Sequence, residues 1–73
     1  MITEIGIVAG EIWQLLDNEG SMRVKKINEK VERPEFLIFM SLGWLSREGH
    51  IILDKEEDDF IVTLRDKSEV QKA

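Results

Sequence analysis

From Ile2 the apolar residues Ile5, Val8, Ala9, Ile12, Leu15 and Leu16 recur at spacings of three and four, which places them on one face of an α-helix. Asn18-Glu19-Gly20-Ser21 is turn chemistry, with Gly20 suited to positive φ, so the helix is expected to end near Asn18. Thr3 is a candidate N-cap. Gly6 and Gly10 share one side of this helix, and each costs it about 1 kcal/mol relative to Ala. Two readings account for them: a close backbone approach by another element, or a helix that starts only after Gly6.

Met22-Arg23-Val24 has the composition of a very short strand. Val24, Ile27 and Val31 then give a second, shorter helical face, with Ser21 as its candidate cap. Pro34 stops that helix and suits the first turn of the next, expected from about Pro34 to Glu48 with Ile38, Leu42 and Leu45 inward and Gly49 as C-cap. After Gly49 the period changes. His50-Ile51-Ile52-Leu53 and Phe60-Ile61-Val62-Thr63-Leu64 are rich in strand formers and flank the polar run Asp54 to Asp59, which reads as a hairpin. No Asn-Gly or Asp-Gly turn is present, so a loop longer than two residues is expected. Residues 66–73 have little to bury and are expected to fray, which leaves one domain over residues 1–65. Helix, short strand, helix, turn, helix, hairpin is the order of an α+β winged helix-turn-helix.

With 73 residues the chain has room for a single domain, and a chain this short buries only about 60% of the surface its unfolded form exposes. Association with a partner would therefore add substantially to a small core. The absence of Cys excludes a disulfide framework and thiolate chemistry, and one His makes a His-based metal site improbable, so no cofactor is expected. No apolar run approaches the roughly 20 residues of a membrane helix, and Met1 to Trp13 lacks the basic start of a signal peptide, so a cytoplasmic location is expected.

Two stretches carry a family resemblance: Ala9-Gly10-Glu11-Ile12-Trp13-Gln14-Leu15-Leu16 in the first helix, and Gly43-Trp44-Leu45-Ser46-Arg47-Glu48-Gly49-His50-Ile51 around the end of the third. Over nearly its whole length the chain resembles a small prokaryotic winged-helix family of unassigned function. The second stretch is the more specific, since Gly-Trp-Leu is unusual in a recognition helix. The resemblance implies a compact winged-helix domain, with DNA binding and dimerisation as expectations, and it carries no ligand-binding residues.

A recognition helix reads DNA with exposed polar and basic side chains. Here, once Ile38, Leu42 and Leu45 are taken as inward, the remaining Leu37, Phe39, Met40, Ser41, Gly43 and Trp44 are nearly all apolar. Phe39, Met40 and Trp44 have the chemistry of interface cores, Gly43 permits close approach, and Trp13 is placed in support, so a homodimer or another protein partner is expected. The competing reading gives Trp13 and Trp44 to the domain's own core. The wing, Asp54-Lys55-Glu56-Glu57-Asp58-Asp59, would repel phosphates; as a calcium loop it lacks the Gly and the Glu that the EF-hand pattern requires. In favour of nucleic acid, Arg23, Lys26, Lys30 and Arg33 are spaced to form one basic stripe through the second helix, with Arg47 beside them. Ordinary solvated surface is the competing reading of that stripe. His50 and the serines Ser21, Ser41 and Ser46 lie in no catalytic motif, so no enzyme is expected. A non-catalytic protein-contact domain is the leading expectation, and a DNA-binding regulator that sets the stripe on phosphates is the alternative.

Overall fold

A computed structural model of the protein describes residues 2–65; the expectation for 66–73 lies outside the described residues. The first helix, α1, runs Ile2–Glu19 and buries Val8, Ala9, Ile12 and Leu16, with Ile5 and Leu15 packed against the same core. Its start at Ile2 puts Thr3 inside the first turn rather than at the N-cap, and Gly6 inside the helix rather than before it. Gly20, at φ 89°, ends α1 by donating its N–H to the Leu16 carbonyl at 2.8 Å.

A two-residue strand, β1 (Met22–Arg23), leads into α2 (Val24–Lys30). Val24 therefore opens the helix rather than ending the strand. Ser21 does not cap α2; its hydroxyl donates to Thr63 Oγ1 at 2.9 Å, while Arg23 occupies the N-cap position without a side-chain capping bond. The free N–H of Lys25 in the first turn is instead accepted by Asp59 Oδ2 of the wing at 3.3 Å. Asp59 also accepts the Phe60 N–H at 2.6 Å, and these hydrogen bonds, Phe60's foremost, hold its carboxyl below the ordinary range. A cap supplied from so far along the chain ties α2 to the hairpin.

The third helix, α3, spans Glu35–Arg47, with Pro34 at its N-cap position. Its end is a Schellman motif: Gly49, at φ 79°, donates to the Ser46 carbonyl, and the His50 N–H reaches back to Leu45 at 2.9 Å. The hairpin follows as β2 (Ile51–Glu56) and β3 (Asp59–Leu64), and β3 lies between β2 and β1 in an antiparallel sheet.

The connection in this hairpin is shorter than the sequence led us to expect. Pairing continues to Glu56 opposite Asp59, so the turn is the two residues Glu57-Asp58. Glu57 takes positive φ, 56°, a conformation usually left to Gly or Asn, and Lys55 Nζ holds the turn by donating to the Glu57 carbonyl at 2.6 Å.

Every element contributes to one core. Ile12 of α1, Ile27 of α2, Ile38 of α3 and Val62 of β3 are fully buried and meet at its centre. Against the inward stripe expected for α3, Leu37 and Ser41 are buried as well as Ile38, Leu42 and Leu45. Ser41 can be buried because its hydroxyl donates to the Ile5 carbonyl of α1 at 3.2 Å, so the polar side chain fastens α3 to α1.

Two outcomes are expected. Glu57→Gly relieves the positive-φ conformation and raises unfolding stability by about 0.5–1 kcal/mol in urea titrations, net of the entropy Gly adds to the unfolded chain. Asp59 and Glu11 both titrate lower folded than unfolded, Glu11 chiefly through its hydrogen bonds from Arg33. The stability they lend is therefore complete above the ordinary carboxylate range and is lost as pH falls through their folded values. The urea midpoint should fall on acidification below about pH 4, and Asp59→Asn should flatten that slope.

Candidate interaction surface

With Leu37, Ile38, Ser41, Leu42 and Leu45 turned inward, the outer face of α3 is left with Phe36, Phe39, Met40, Gly43, Trp44 and Arg47, flanked by exposed Glu35 and Ser46. The helix repeat of about 100° per residue groups them on one side. Phe36 is 55% exposed, Phe39 50%, and Met40 and Trp44 46% each, a concentration of half-exposed large apolar side chains on one helix face. Among the exposed side chains of α3, Ser46 and Arg47 are able to donate to a phosphate or a base edge.

On one flank this face continues onto α1. Trp44 lies beside His50, their ring centroids 6.2 Å apart, and a shallow groove of about 210 Å³ is lined by Gly6, Gly10 and Trp13 of α1 together with Trp44. Trp13 is half-buried and Trp44 exposed, so neither is sealed in the core. On the other flank the face continues onto the wing. Strand register puts Leu53 of β2 and Phe60 of β3 on the same inner face as Ile51 and Val62. Ile51 and Val62 are covered by the core; Leu53 and Phe60, nearer the turn, remain 37% and 39% exposed. With Val24, Phe39, Leu42 and Gly43 they line an apolar groove of about 410 Å³, with Asp58 and Asp59 at its edge.

The structure thus brings Phe39, Met40, Gly43 and Trp44 onto one surface and sets Trp13 at its border. Phe36, Leu53 and Phe60 extend it and were missed from sequence. Phe36 stands four residues before Met40, which the helical repeat could have shown; Leu53 and Phe60 needed the hairpin register, hidden by the misjudged turn.

The helical glycines have no use inside the chain. A Cβ built at Gly6, Gly10 or Gly43 meets nothing within 4 Å, and none of the three has positive φ. A close approach to Gly6 or Gly10 by another element of this domain, one of the two sequence readings, is therefore not what places them there.

The basic stripe is divided. α2 ends at Lys30, so Arg23 and Arg33 lie outside it and turn elsewhere. Arg23 pairs with Glu56 of the wing, Lys30 with Glu19 of α1 at 3.3 Å, and Arg33 forms a two-pronged contact with Glu11, Nε to Oε1 at 3.0 Å and the second nitrogen to Oε2 at 2.5 Å. Lys26, with Lys25 beside it, and Arg47 carry no ion pair among the described residues. Three of the cations are thus matched by carboxylates of other elements, which lowers the positive potential this side could offer a phosphate. Among the described residues no cluster of three potential metal ligands occurs, and no helix is long and apolar enough to cross a membrane.

A three-helix domain with a β-hairpin wing packed over α3 is a winged helix-turn-helix, and the chain belongs to the winged helix-turn-helix domain family DUF2582, whose profile it matches over residues 1–64. It is also similar to an uncharacterized protein, MJ1608, of Methanocaldococcus jannaschii, at 33% identity over 64 residues that cover 85% of this chain and 91% of that protein. Neither comparison attaches a biochemical function to the fold.

Since Gly6 and Gly10 have open space around them and helical backbone, Gly6→Ala and Gly10→Ala should each raise unfolding stability by about 1 kcal/mol, read by thermal or urea denaturation at low protein concentration. Loss of stability in either would place a hidden neighbour there.

Proposed function

We propose that this domain acts by protein contact and not by catalysis, as a cytoplasmic regulatory module that forms a homodimer through the outer face of α3. One observation carries the reading: Phe36, Phe39, Met40 and Trp44 stand half-exposed on a helix that would otherwise be its nucleic-acid reader. Aromatic and Met side chains of this kind form the centre of interfaces, where water is excluded and truncation costs most. In the homodimer Phe39, Met40 and Trp44 anchor the contact, Gly43 lets the partner come close, and Trp13 buttresses Trp44 across the α1 groove.

The DNA-binding alternative rests on Lys25, Lys26 and Arg47, together with whatever charge Arg23, Lys30 and Arg33 retain beside their carboxylate partners. The acidic turn Glu57-Asp58 opposes it. Phosphate contacts of that kind would give weak, salt-sensitive and sequence-blind binding.

Light scattering over a concentration series tests the reading. Wild type should approach twice its monomer mass as concentration rises, and Trp44→Asp and Met40→Asp should remain folded monomers with dimer dissociation constants raised on the order of a hundredfold. A wild-type monomer throughout, with a duplex bound at low salt and released at moderate salt, would favour the DNA reading instead.

A further inference from the structure

The outer face of α3 holds a row of residues four apart, Glu35, Phe39, Gly43 and Arg47, all exposed. Rows at this spacing are ridges, which seat in gaps of a facing helix, and here the Gly43 position is a gap in the row itself. Read in order, the row is acid, aromatic, glycine, base. Turned end for end and laid on a copy of itself, it sets Glu35 against Arg47, Phe39 against Gly43, Gly43 against Phe39 and Arg47 against Glu35. Each contact is complementary. The Gly43 position is open, because a Cβ there meets nothing within 4 Å, so it forms a notch beside the projecting Phe39 ring. Neither Glu35 nor Arg47 is in an ion pair among the described residues, so both charges are free for a partner. A parallel arrangement does the reverse. It sets Glu35 on Glu35 and Arg47 on Arg47, opposes Phe39 to Phe39, and leaves an empty space between two glycines.

We infer that the occupant of this face is a second copy of the chain, docked with α3 antiparallel to α3 about a two-fold axis that passes between Phe39 and Gly43, with Phe39 of each copy in the Gly43 notch of the other and Arg47 paired with the partner's Glu35. The inference rests on the protein-contact reading above and adds its direction and register. The contact is isologous, as closed dimers require: the same patch serves both copies, and each pair occurs twice. Antiparallel docking also sets the positive N-terminal end of each α3 dipole near the negative C-terminal end of the other. Both recognition helices are then turned away from any duplex.

Charge reversal at the two ends tests the register, with dissociation constants from light scattering or sedimentation at low ionic strength and circular dichroism to check folding. Glu35→Arg and Arg47→Glu singly create two like-charge contacts per dimer and should each weaken it about tenfold or more. The double variant, Glu35→Arg with Arg47→Glu, restores opposite charges and should return the dissociation constant to within about threefold of wild type. Because the double variant opposes the α3 dipole at both ends, its recovery cannot come from a more stable helix. Gly43→Leu, whose Cβ meets nothing within 4 Å in its own chain, should abolish the dimer and leave a folded monomer. A dimer that neither single reversal weakens overturns the antiparallel register while leaving the dimer itself standing. A wild-type protein that stays monomeric overturns both.

Discussion

The organising constraint is that α3 is apolar on almost every side while the domain can cover only one of them. Its inner side is claimed in full: Leu37, Ile38, Leu42 and Leu45 close the core, and buried Ser41 bonds to the Ile5 carbonyl to fix α3 against α1. The sheet then packs over one edge and α1 over the other, and α2 closes the core through Ile27. What is left outside is a ridge of aromatic and Met side chains running from Phe36 to Trp44. Among the described residues no element covers it. The same economy recurs at the wing, where Leu53 and Phe60 lie on the inner face of the hairpin beyond the reach of the core.

Charge follows from the same geometry. The cations that a helix-turn-helix could direct at phosphates are turned toward this chain's own carboxylates, Arg33 to Glu11, Lys30 to Glu19 and Arg23 to Glu56. Exposed pairs like these contribute little to stability. Their consequence is electrostatic: they join α1, the loop before α3 and the wing while removing net positive charge from the side where DNA would lie. Asp59 performs a comparable service, since the carboxylate that makes the wing acidic also receives the Lys25 N–H at the start of α2.

The fold could be read in the sequence wherever one periodicity dominated. The α1 stripe from Val8 to Leu16, the change of period after Gly49, and the positive-φ glycines at 20 and 49 all led directly to the observed elements. Failures occurred where a distant partner decided a local choice. Ser41 looked like surface because its acceptor lies on α1. Ser21 looked like a cap because its partner Thr63 and the substitute cap Asp59 lie on the hairpin. A two-residue turn without glycine runs against local turn chemistry, yet pairing between Lys55 and Phe60 and between Glu56 and Asp59 carries Glu57 through it at positive φ. The basic stripe was a product of spacing that assumed a helix continuing past Lys30; Val31 leaves it for extended backbone, at φ −96° and ψ 111°, so Arg33 is free to cross to Glu11. Of the candidate surface, Phe39, Met40, Gly43 and Trp44 were readable as an apolar run too wide for one buried face, whereas Leu53 and Phe60 became visible only with the hairpin register.

The central claim is that the outer face of α3 is covered by another copy of this chain, and Trp44 is its natural reporter. In the wild-type protein, whose two indoles, Trp13 and Trp44, both line this surface, the fluorescence emission maximum should shift to the red as the protein is diluted, because the Trp44 ring enclosed in the dimer becomes half-exposed in the monomer. An emission maximum that stays constant from high to low concentration, with light scattering reporting a single species, would contradict the account.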